Sequence, residues 1–279
     1  MELWLWAIVL FGGAVGGLVD NVVGMGFGAL SGSVMVGGGV APVVVVTTIN
    51  LAKVGSGAIA AFSHWRLGNV RWSWVLPLAL AGVVGGVAGA FLLTHLPAQL
   101  TRLAMPSILL ATGLLILYRF RPFGGVVPSV AGGSAEAELA APPIVRRWHL
   151  ALALPGPMGL RLASIGWVAG VLNAVSGVFG PVATASVVLM DRSHPRYAVG
   201  TVNLAEFFVA GAVAGTLFWL GGVGESRWAL ALALLIGSAV GAPLGAYLCR
   251  RLPARTLGLG LGVAMVSLNS WALARAALS

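Results

Sequence analysis

Roughly ten apolar runs succeed one another along this chain, most of them near the ~20 residues that a membrane-spanning helix needs. They occupy 3–23, 27–36, 43–62, 74–94, 100–118, 162–178, 181–190, 197–220, 228–249 and 257–276. Only 8% of the 279 residues are charged, against ~25% in a typical soluble domain. The runs also lack the two-residue alternation of outer-membrane strands, which are only ~10 residues long. The expected fold is therefore an all-α integral membrane protein, a multi-pass bundle whose solvent is the lipid bilayer. Segment 3–23 reads as a first membrane helix rather than a cleaved leader, because Glu2 stands where a leader carries basic residues.

The ten runs divide into two sets of five with matching landmarks. Thr48-Ile49-Asn50-Leu51-Ala52-Lys53 returns as Thr201-Val202-Asn203-Leu204-Ala205-Glu206. Pro42 and Pro195 are related by the same offset, while Gly85, Gly89, Leu96 and Pro97 pair with Gly241, Gly245, Leu252 and Pro253 at a slightly larger one. Ordered matches of this kind indicate internal duplication. The expected organisation is a first transmembrane repeat over 1–118, a polar Pro/Gly-rich cytoplasmic linker over 119–149 and a second repeat over 150–279.

In each half the second run is only about half the length of a spanning helix. Each follows a glycine-rich break, Gly24-Met25-Gly26-Phe27-Gly28 or Ser176-Gly177-Val178-Phe179-Gly180-Pro181. Paired short, Gly/Pro-interrupted segments point to a transporter binding site, since unwound backbone and half-helix N-termini can receive an anion. Gly82, Gly85, Gly86, Gly89, Gly237, Gly241 and Gly245 read instead as close helix contacts, their spacing being that of small-residue packing.

Loop charges orient the two halves. Arg66 and Arg71 follow the third run, whereas in the second half Arg192 and Arg196 precede the equivalent run and Arg250, Arg251 and Arg255 follow the next. With basic loops inside, the repeats are inverted. Each then consists of a glycine-broken re-entrant hairpin followed by three transmembrane helices, with both termini outside the cytoplasm. The net charge of +9 comes almost wholly from arginines near segment ends, so it reads as a topology signal rather than a nucleic-acid footprint. The tryptophans at 4, 6, 65, 72, 74, 148 and 228 read as interfacial belts.

Ionisable groups at membrane depth are rare and usually functional. The polar candidates inside apolar runs are Asp20, Asn21, Asn50, Lys53, Asn173, Ser176, Thr184, Asn203 and Glu206. Asn50 with Lys53, and Asn203 with Glu206, share a helix face at i,i+3. Lys53 is the only lysine, and duplication about a pseudo-twofold axis would bring it toward Glu206. An ion pair that merely holds the bundle together is the competing reading. His64, His95, His149 and His194 fall at segment ends or in loops. Cys249 is the only cysteine, and no Cys/His cluster has the spacing of a metal site. The glycines at 24–28 lack both the strand–turn–helix setting and the Lys-Ser/Thr of a P-loop. Neither a cofactor nor ATP hydrolysis is expected.

These features together resemble the TauE/SafE family of sulfite exporters, also called the TSUP family. The resemblance rests on the two glycine breaks, the polar third run, and the loop His64-Trp65-Arg66-Leu67-Gly68-Asn69-Val70. It implies movement of a small anion such as sulfite or an organosulfonate like sulfoacetate. Combined with the residues, it gives a secondary transporter of the inner (cytoplasmic) membrane and not an enzyme. Gly26, Gly28, Asn50, Lys53, Asn173, Ser176, Gly177 and Asn203 would bind the anion, and Asp20 and Glu206 would couple protons. A passive anion channel is the alternative. A serine hydrolase built on Ser176 would need a histidine at membrane depth, where the runs hold none. Homo-oligomers are compatible with this reading.

Overall fold

The computed structural model describes residues 3–23, 26–66, 68–119, 157–190, 195–221, 225–251 and 254–278. Among them the chain is helical with no strand. In chain order the helices are α1 (Leu3–Val23), α2 (Phe27–Gly37), α3 (Pro42–Arg66), α4 (Trp72–His95) and α5 (Ala98–Arg119). The second set is α6 (Pro157–Ser176), α7 (Gly180–Met190), α8 (Pro195–Gly221), α9 (Glu225–Arg251) and α10 (Ala254–Leu278). Most of the expected linker lies outside the described residues, as do Met25, His149, Arg192, His194, Leu252 and Pro253.

Seven of these helices, α1, α3, α4, α5, α6, α8 and α10, are long and apolar enough to cross a membrane. Their outer faces carry large apolar side chains in the open, among them Phe11, Ile59, Leu80, Leu114, Leu160, Trp219 and Val263. So much exposed apolar surface would be a liability in water and is the normal exterior of a bundle in lipid. The fold is that of a multi-pass membrane protein. α1 and α6 are full-length, so only α2 and α7, 11 residues each, stop at about half the ~30 Å hydrocarbon depth.

The first helix of each half packs on the fourth helix of the other, α1 against α9 and α6 against α4. Glycines make both seams possible. A side chain at Gly237 would strike the Leu10 carbonyl and one at Gly241 the Ala14 carbonyl, while Gly13 faces Leu234. In the other seam Gly85 lies on Trp167, Gly166 on the Leu78 carbonyl and Gly170 on the Gly82 carbonyl. Small residues let helix backbones approach this closely, which is the main source of attraction between helices in lipid. Gly82, Gly85, Gly86, Gly89, Gly237 and Gly241 thus pack as the spacing suggested, and the surroundings of Gly245 lie outside the described residues.

α3 and α8 cross at the centre, flanked by α4 and α9. Ile49, Asn50 and Ala52 of α3, and Thr201, Val202 and Ala205 of α8, are buried. The α3–α4 loop is fastened to α8: the Arg71 amide donates to Thr201 Oγ1 at 3.0 Å, and Gly200 leaves no room between itself and the Asn69 carbonyl. The Arg71 guanidinium lies 4.5 Å from the Trp74 ring centroid and 5.0 Å from that of Tyr197. This arrangement corrects one expectation. Trp74 is buried under the docked loop, whereas Trp4, Trp65, Trp72 and Trp228 are exposed as a belt requires.

Candidate functional site

The site forms where the two short helices begin. Gly26, at φ 152°, and Gly177, at φ 75°, hold backbone conformations that residues with a Cβ rarely adopt. They let the chain turn sharply from α1 into α2 and from α6 into α7. The two breaks meet: any side chain at Gly28 would collide with the Gly177 carbonyl. The Gly177 amide itself donates to Asn173 O at 2.7 Å, closing the end of α6. Ser31 Oγ donates to Gly12 O at 2.9 Å and fastens α2 back onto α1.

Three ionisable side chains converge beside this junction. Lys53 Nζ lies 3.4 Å from Glu206 Oε2 and 4.0 Å from Asp20 Oδ2. Lys53 and Glu206 are almost fully buried, at 8% and 6% exposure, while Asp20 is partly exposed. Asp20 is held by α2, whose first amide, Phe27 N–H, donates to its Oδ1 at 3.2 Å. A carboxylate at a helix N-terminus is stabilised by the amide dipoles there. The Phe27 ring centroid is 5.5 Å from the ammonium, within cation–π range.

Asp20, Gly26, Gly28, Lys53, Gly177, Asn203 and Glu206 all line one small cavity. So do Phe27, Gly180, Thr184 and Val202. Its ≈ 10 Å³ of room for the centre of a water-sized sphere suits about one water. A sulfite-sized ion would need its walls to move apart. Asn50, Asn173 and Ser176 sit behind this cavity rather than in its wall. Asn173 Nδ2 donates to Asn50 Oδ1 at 2.7 Å, Asn50 Nδ2 donates to Val46 O at 2.9 Å, and Ser176 Oγ donates to Leu172 O at 2.7 Å. Asn203 Nδ2 donates to Val199 O at 3.0 Å while still facing the cavity. The side chain of Asn21 lies outside the described residues. Phe27 and Val202 complete the wall without any polar signal that would single them out in an apolar run.

No described histidine lines the cavity. His95 Nδ1 is 2.8 Å from Phe91 O at an exposed helix end, and His64 Nδ1 is buried with no hydrogen-bond partner among the described residues. The described residues contain no cluster of His, Cys, Asp and Glu suited to a metal ion. Glycine-broken half-helices around a small cavity lined by one lysine and two carboxylates, inside a multi-pass bundle, point to a membrane transporter.

Comparison with known proteins agrees. The family model of the sulfite exporter TauE/SafE matches residues 9–270, and the chain belongs to that family. It is 28% identical over 265 residues to the probable membrane transporter protein YtnM of Bacillus subtilis (strain 168), covering 94% of this chain and 81% of that protein. It is 26% identical over 252 residues to the probable membrane transporter protein ORF9 of Sinorhizobium sp, covering 86% and 82% respectively. No solved structure matches it significantly.

Proposed function

We propose that this protein is a proton-coupled secondary transporter of a small sulfur-containing anion, sulfite or an organosulfonate such as sulfoacetate, in the cytoplasmic membrane. The observation that carries the reading is the Lys53–Glu206–Asp20 triad at the meeting point of two half-helices. Lys53 supplies the positive charge an anion needs, but two carboxylates already hold it. With all three groups ionised the cluster is net negative and repels an anion. A proton on Glu206 removes that excess and frees the ammonium, so anion and proton are taken up together. The family's name, sulfite exporter, supports sulfite as the first substrate to test.

The halves act as inverted repeats, and access alternates as one rocks against the other. The reciprocal packing of α1 on α9 and α6 on α4 supports this, because it is what a twofold relation between equivalent helices produces. Ser176 sits behind a cavity that no described histidine lines, and its hydroxyl is bound within its own helix, which argues against hydrolysis.

The test is uptake of radiolabelled sulfite and sulfoacetate by proteoliposomes, with and without a pH gradient. Saturable, gradient-driven flux that Lys53→Ala abolishes is expected. Linear flux indifferent to pH would make the protein a passive channel, and no flux of either anion would remove the substrate class.

A further inference from the structure

The two glycine breaks are built alike, but their half-helices do not end in the same chemistry. At α2 the first amide is already occupied, because Asp20 accepts from Phe27 N–H. The residue related to Asp20 in the second half is Asn173, which is neutral and turned away to donate to Asn50. No side chain accepts a hydrogen bond from the first amides of α7 among the described residues. One turn further on, the related pair Ser31 and Thr184 differs as well. Ser31 spends its hydroxyl on Gly12 O. Thr184, only 2% exposed, lines the cavity and makes no hydrogen bond among the described residues.

We infer that the anion subsite is one-sided: the substrate's oxygens dock on the α7 half, at Gly180 and the Thr184 hydroxyl, with Lys53 as counter-charge. Asp20 serves as the permanent cap of α2 and closes the first half to anions. This deepens the transport reading and rests on it. The physical basis is the supply of donors. The Thr184 hydroxyl, with no hydrogen-bond partner among the described residues, and a half-helix N-terminus that no described side chain caps face the same cavity as the only lysine, and an oxyanion can accept from all three. At α2 a carboxylate stands where that oxyanion would be, so repulsion bars a second one.

The test is calorimetric binding of sulfite and of sulfoacetate to detergent-purified protein. Thr184→Val keeps the shape and removes the donor, and is expected to weaken binding roughly ten- to a hundredfold, the effect of losing a hydrogen bond to a charged group. Thr184→Ser should restore most of the affinity, and Ser31→Ala, at the related position, should leave it near wild type. Thermal melts check that each variant is folded. If wild type binds and Lys53→Ala does not, yet Thr184→Val binds as wild type, the one-sided subsite is wrong and the transport reading stands. A loss with Ser31→Ala equal to that with Thr184→Val would also overturn it. If wild type binds neither anion, subsite and substrate class fall together.

Discussion

Lys53 is held by charge on two sides and by an aromatic ring on a third. Removing one member of a buried ion pair leaves an uncompensated charge, at about 3–5 kcal/mol. Lys53→Met should therefore lower the melting temperature markedly by leaving Glu206 and Asp20 facing each other. Adding Glu206→Gln to that variant should recover part of the loss, since the buried carboxylate is then gone. Purely additive losses in the double variant would mean the two groups do not interact. Asn173→Leu strands Asn50 Oδ1, which has Asn173 Nδ2 as its donor. Polar contacts between membrane helices average ~0.6 kcal/mol, so a small drop in melting temperature is expected there, with anion affinity changed only indirectly. A loss of binding as large as that of Lys53→Ala would put Asn173 in contact with substrate.

Among the helices, the glycine seams decide which elements touch. At Gly241 even a methyl group would meet the Ala14 carbonyl, and at Gly170 the Gly82 carbonyl, whereas nothing lies within 4 Å of a Cβ at Gly215. Gly241→Ala and Gly170→Ala should each destabilise by about 1–3 kcal/mol through overpacking. Gly215→Ala, in an open stretch of α8, should be neutral or stabilising by up to ~1 kcal/mol. Melting in detergent separates the two outcomes, and equal effects at all three positions would contradict the seams. The short helices and these contacts were legible in the sequence because length and small-residue spacing are local properties. The approach of Lys53 to Glu206 was legible only through the matching sequence landmarks that pair α3 with α8. Three features were not: Trp74 under a docked loop, Asn50 bound to Asn173, and Asp20 capping α2. Each depends on which faces two distant helices turn toward one another, and periodicity does not report that. Asn50, Asn173 and Ser176 look as polar in the sequence as Asn203, yet packing turns them behind the cavity wall.

For the whole molecule, an apolar exterior surrounds a buried cluster of opposite charges, and the cluster lies between elements of both halves. α1, α2 and α3 supply Asp20, Phe27 and Lys53, while α7 and α8 supply Thr184 and Glu206. In the proposed cycle a rocking motion between halves pulls this cluster apart, which would couple the state of the triad to the side on which the cavity opens. The loop at Asn69–Arg71, docked on Gly200 and Thr201, spans the same boundary. Gly200→Val should undock it and slow transport while leaving anion affinity in detergent within a few-fold of wild type; an unchanged transport rate would show that the contact plays no part in the cycle. The most direct measurement is proton movement itself. Proteoliposomes containing a trapped pH dye are given sulfoacetate outside, with no imposed gradient. Internal acidification that tracks anion uptake in wild type, and that Glu206→Gln uncouples or abolishes, is the expected result. Anion uptake in wild type with no change in internal pH would contradict proton coupling through the Lys53–Glu206–Asp20 cluster.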